Sequence, residues 1–93
     1  MWVGVLTAEF RLPQASTLKD KRSVVKSMLQ RAAQRFRVSA AEVGLHDDPR
    51  RALVAVAVVS REGAHGRQVL DAVLGFAESA YPVELIDAAV ESR

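Results

Sequence analysis

Ala52-Leu53-Val54-Ala55-Val56-Ala57-Val58-Val59 is the longest apolar run in the chain. Apolar at every position and rich in valine, it reads as a central strand buried on both faces. Working back from it, Leu45 to Arg50 forms a turn broken by Asp47-Asp48-Pro49,. Val38 to Gly44 before that turn reads as a short strand, so the two strands make a hairpin. Residues 18 to 36 have helical periodicity. Val25, Leu29, Ala32 and Phe36 fall along one stripe, flanked by Val24 and Met28,. Thr17-Leu18-Lys19-Asp20 has the form of a capping box and sets the helix start near Leu18,. Residues 2 to 12 alternate, with Leu6, Ala8, Phe10 and Leu12 on one side and Val5, Thr7, Glu9 and Arg11 on the other,. Pro13 closes that strand.

Downstream, Gly63 and Gly66 fall in a turn or a first helical turn. Val69, Leu70, Val73, Leu74, Phe76, Ala77 and Ala80 then form a second amphipathic helix,. Tyr81-Pro82 ends it, because the residue before a proline avoids helical geometry. Val83 to Val90 is the last strand. The order β-α-β-β-α-β, with two right-handed crossovers, predicts one α+β domain over residues 1–93. Its architecture is a ferredoxin-like two-layer sandwich, a four-stranded antiparallel sheet with two helices on one face.

Composition narrows the function classes. With 49% hydrophobic and 26% charged residues the chain is globular rather than disordered,. The absence of cysteine removes disulfides, thiolate metal sites and a cysteine nucleophile, and fits a reducing cytoplasm,. The N-terminus lacks the basic region of a secretory signal, and no segment reaches the ~18 apolar residues of a membrane span. No membrane partner is expected. The net charge of +2 is unevenly spread. Residues 11 to 37 carry Arg11, Lys19, Lys21, Arg22, Lys26, Arg31, Arg35 and Arg37 against Asp20 alone, a net of +7. Residues 69 to 93 carry Asp71, Glu78, Glu84, Asp87 and Glu91 against Arg93, a net of −4. Such asymmetry marks either a face for an acidic partner or two halves that neutralise each other.

Several stretches resemble the bacterial YlxP-like proteins. These are Leu12-Pro13-Gln14-Ala15-Ser16-Thr17-Leu18-Lys19-Asp20-Lys21-Arg22, Ser39-Ala40-Ala41-Glu42-Val43, Ala57-Val58-Val59-Ser60, and His65 followed by Val69-Leu70. The chain departs from that pattern near Pro49, where the family often has a tryptophan. The resemblance implies a ferredoxin-like fold. It assigns no function, but these genes often lie beside those of translation initiation and ribosome maturation, which implies a link to RNA.

The start of the first helix is the sharpest functional feature. The N-terminus of a helix disfavours cations, yet Lys19, Lys21 and Arg22 crowd the first turn. Free amides, the helix dipole and those side chains suit a phosphate. Lys19, Arg22 and Lys26 form one ridge, Arg31 and Arg35 lie on the opposite flank, and Arg37 follows. The expectation is an RNA- or ribosome-associated binding module. Lys19, Lys21, Arg22 and Lys26 are its principal phosphate contacts, and Arg31, Arg35 and Arg37 its secondary flank. The valine-rich strand has no aromatic residue on which bases could stack, so contacts fall on phosphates with little sequence preference. The alternative is a homodimeric protein-interaction module, formed through the open sheet face that a both-sided apolar strand leaves uncovered.

An enzyme is not expected. Small acylphosphatases share the topology but need an asparagine, and copper chaperones need Cys-x-x-Cys; both are absent. His46-Asp47-Asp48 is a weak metal-ligand set on one loop and reads as a turn former. His65 at the entrance of the second helix reads as structural. No cofactor or metal is implied.

Overall fold

The computed structural model describes residues 1–93. The elements are β1 (Trp2–Arg11), α1 (Leu18–Phe36), β2 (Ser39–Gly44), β3 (Arg51–Ser60), α2 (Gly63–Ala80) and β4 (Glu84–Ser92). All strand pairs are antiparallel and the sheet order is β2-β3-β1-β4. Each helix therefore crosses over one strand to reach the next, which places both on the same sheet face.

The local reasons are those visible in the sequence. Thr17 caps α1: its Oγ1 accepts from Asp20 N at 3.1 Å, and the Asp20 carboxylate accepts in return from Thr17 N at 3.3 Å,. Leu6, Ala8 and Phe10 of β1 and Val54, Val56 and Val58 of β3 turn their side chains toward the helices and are buried. They meet Val25, Met28 and Ala32 of α1 and Leu70, Val73 and Phe76 of α2. Burying Phe10 alone contributes about 2–3 kcal/mol. A one-residue slip of β1 against β3 would turn this whole set outward, so the core holds the register.

One expectation changes. β3 is buried on one face only, alternating buried and half-buried residues until Val59, which is 67% exposed. Helices cover a single side of the sheet. Alanine at positions 55 and 57 leaves little apolar surface on the other, so an uninterrupted apolar run did not require two covers. Gly63 and Gly66, expected in a turn or a first helical turn, both lie in the first turn of α2. Trp2 packs across this turn: a Cβ on Gly66 would fall 2.2 Å from Trp2 Cζ3, and one on Gly4 2.2 Å from Trp2 Cη2. The glycines let the helix approach β1 with an indole between them.

Candidate polyanion-binding face of the first helix

The seven cations singled out in the sequence have four different environments. Lys19, Arg22 and Lys26 recur at helical spacing on the solvent side of α1 and are exposed,. The molecule contains three ion pairs, Arg11–Glu84, Arg51–Glu9 and Lys21–Glu42. None involves this ridge. The acidic C-terminal third reaches back to Arg11 but not to α1.

Arg31 and Arg35 occupy the flank that faces α2. The Arg31 guanidinium lies 5.5 Å from the Phe76 ring centroid and 5.6 Å from that of Tyr81. Arg35 lies 5.3 Å from Phe76 and 5.4 Å from Phe36. Arg31 Nη1 also donates to Tyr81 Oη at 3.1 Å, and Ser27 Oγ is 2.9 Å from that oxygen. Stacking fixes a guanidinium by its plane and leaves N–H edges free for an anion. Arg37 caps the C-terminus of α1 in left-handed geometry, φ 54°. That position favours glycine, so an arginine there is held at a conformational cost.

Lys21 requires a correction. It is not a phosphate contact: its side chain is 0% exposed. Its Nζ donates to Glu42 Oε2 at 3.0 Å, Leu45 O at 2.8 Å, Arg51 O at 3.2 Å and His46 O at 3.3 Å. Three N–H groups thus serve four oxygens, and α1 is tied to the β2–β3 hairpin. The position was legible in part. Lys21 extends the buried stripe Val25, Met28 and Ala32 backward by one turn, and Glu42 sits opposite Val54 on the helix-facing side of the sheet,. Charge alone places it on the surface.

A second correction follows from the cap. Asp20 accepts from Ser16 N at 3.1 Å as well as from Thr17 N. A carboxylate therefore occupies the N-terminus of α1, and an arriving phosphate would meet negative charge there. The exposed cations Lys19, Arg22 and Lys26 run along the side of the helix.

The loop of His46, Asp47 and Asp48 is a turn. Asp48 Oδ1 accepts from Arg50 N at 2.9 Å and Arg51 N at 3.1 Å, and His46 Nε2 lies 3.3 Å from Glu42 O. His65 is exposed at the start of α2. The sheet face opposite the helices carries no aromatic ring. It exposes Val5, Val43 and Val59, and two ion pairs lie toward one end, where Arg51 Nε donates to Glu9 at 2.9 Å and Arg11 Nε to Glu84 at 3.1 Å. The Glu9 hydrogen bond, and then its charge, push the Arg51 guanidinium still higher than its ordinary value. No helix is long and apolar enough to cross a membrane.

Two helices on one face of a β2-β3-β1-β4 antiparallel sheet define a ferredoxin-like domain. The solution NMR structure of a de novo designed protein with ferredoxin fold matches it with a TM-score of 0.60, over 100% of this chain and 83% of that one. At 10% identity that likeness is one of fold alone. Within that class the chain belongs to the family described as "Protein of unknown function (DUF503)", whose pattern matches residues 3–90. It is 33% identical over 82 residues to the uncharacterized protein YlxP of Bacillus subtilis (strain 168), covering 88% of this chain and 89% of that one.

Proposed function

We propose that this domain is a non-enzymatic RNA-binding module of the cytoplasm that engages the phosphate backbone through the side of α1. Lys19, Arg22 and Lys26 are its principal contacts, and Arg31, Arg35 and Arg37 its second row. One observation carries the reading. All six are exposed and none is paired with a carboxylate, in a chain with 11 acidic residues. Side chains that the protein does not neutralise itself are the ones available to an external polyanion. The open sheet face offers no ring for base stacking, so recognition rests on charge and carries little sequence preference.

The test is a titration of labelled ribosomal RNA fragments at several salt concentrations. Engaging three phosphates gives a slope of log affinity on log salt of about −2 to −3, and all six cations about −4 to −5. The combined Lys19→Glu, Arg22→Glu, Lys26→Glu variant should lose most of the binding and flatten the slope. Binding that ignores salt, or that survives the charge reversal, overturns the proposal.

A further inference from the structure

Arg31 and Arg35 stand one helical turn apart on α1, and both lean on one ring of α2. Their guanidinium carbons lie 5.5 and 5.3 Å from the Phe76 centroid. Beside them the groove between the helices opens into a cleft of about 320 Å³, lined by Arg31, Gln34, Arg35 and Phe76. Three of these four side chains are polar, and two are cations.

Nothing in the fold neutralises this cleft. None of the three ion pairs reaches it. The acids of α2 are turned away: at 3.6 residues per turn, Asp71 and Glu78 lie about 140° and 160° around the helix from Phe76,. Two like charges at i and i+4 repel each other. Contact with a ring holds each guanidinium in place but adds no net negative charge. The helix therefore carries a repulsion that a bound anion would relieve.

The hydrogen-bonding inventory sets the class of anion. Each guanidinium has five N–H donors in a planar fork. Arg31 spends one on Tyr81 Oη, at 3.1 Å. Arg35 is held by the rings of Phe36 and Phe76. A carboxylate or a phosphodiester offers two free oxygens, which a single fork already satisfies. A phosphate monoester offers three, and its charge of about −1.5 to −2 at pH 7 matches two unpaired cations. Arginine, unlike lysine, meets phosphate with two parallel N–H bonds. Gln34 adds an amide donor to the same cleft,.

We infer that the cleft between α1 and α2 is a site for a phosphate monoester, held between the guanidiniums of Arg31 and Arg35. The inference rests on the proposed function only in taking these two arginines as open to an external anion. It does not involve Lys19, Arg22 or Lys26. Two sources carry this chemistry: the 5′-terminal phosphate of an RNA strand and a small phosphorylated metabolite. An RNA end in the cleft would make this pair a reader of strand ends rather than part of a row of backbone contacts.

The probes are phenyl phosphate and one RNA trinucleotide made with a 5′-phosphate or a 5′-hydroxyl. Each is titrated into the full chain while NMR follows the arginine Nε–H signals. Phenyl phosphate should shift Arg31 and Arg35 and leave Arg61, before the start of α2, in place. With an RNA end as the source, the 5′-phosphorylated trinucleotide binds about tenfold or more tightly than the 5′-hydroxyl form. With a metabolite as the source, phenyl phosphate moves both arginines and the two trinucleotides do not differ. Arg31→Gln combined with Arg35→Gln should abolish either response. The Lys19→Glu, Arg22→Glu, Lys26→Glu variant should keep it while losing long RNA, which separates this site from the ridge. Long-RNA binding that ignores salt, beside intact arginine shifts, would remove the proposed function and leave this site standing. Unmoved Arg31 and Arg35 signals with phenyl phosphate, together with equal binding of the two trinucleotides, overturn the inference on the wild type alone. So does a preference for the 5′-phosphate that survives loss of both arginines.

Discussion

Replacing Lys21 by methionine keeps the length and packing of the stem and deletes only the ammonium group. Left behind are the Glu42 carboxylate, whose side chain is 17% exposed, and the carbonyls of Leu45, His46 and Arg51. Removing one partner of a buried ion pair costs about 3–5 kcal/mol, because the other charge stays buried without compensation. For a domain of this size each kcal/mol moves the midpoint of thermal unfolding by about 4–8 °C, so a fall of about 12–40 °C is expected. Total stability is about 5–15 kcal/mol, so the loss is a large share of it. Urea unfolding followed by the fluorescence of Trp2, the single tryptophan, measures the difference. Lys19→Met and Lys26→Met, on the exposed ridge, should stay within about 0.5 kcal/mol of the parent. Adding Glu42→Leu to Lys21→Met should recover part of the loss, because no unpaired carboxylate then remains. A loss below about 1 kcal/mol, the worth of a surface pair, would refute the account of Lys21 as a buried tether. A double variant less stable than Lys21→Met alone would do the same.

Thr17→Ala removes the acceptor for Asp20 N and should cost about 1 kcal/mol in chemical unfolding,. A cost near zero would mean the capping box does not hold the start of α1. Arg37→Gly relieves left-handed backbone at the end of α1, so it should stabilise by up to ~1 kcal/mol while weakening RNA binding,. Parallel unfolding and RNA titrations check both halves, and a loss of stability contradicts the backbone argument. Gly66→Ala drives a methyl group into Trp2. It should destabilise by about 1–3 kcal/mol despite the better helix propensity of alanine, with a shift in Trp2 emission,. An unchanged spectrum would show that the indole does not lie against that glycine. Tyr81→Phe deletes the oxygen that meets Ser27 and Arg31. About 1 kcal/mol of stability should go with it, and an effect indistinguishable from zero in thermal unfolding would show that the bond between the helices adds nothing.

The sequence alone determined what local chemistry specifies. Alternation over residues 2–12, the Thr17–Asp20 box and Tyr81-Pro82 define a strand, a helix start and a helix stop through contacts within a few residues. The observed elements begin or end at or beside those positions. The order of elements then leaves few topologies, which is why the sandwich was readable. Tertiary structure alone decided the fate of the charges. Lys19 and Lys21 are two residues apart in the same basic run. Yet one faces solvent and the other sits among oxygens from Glu42, Leu45, His46 and Arg51, which are 21 to 30 positions away along the chain. Composition cannot separate them, because a cation can be satisfied by water or by a complete set of buried acceptors, and only the folded hairpin supplies the second. The same holds for β3. Its apolar run specified a strand, but which side would be covered depended on both helices crossing to one face of the sheet.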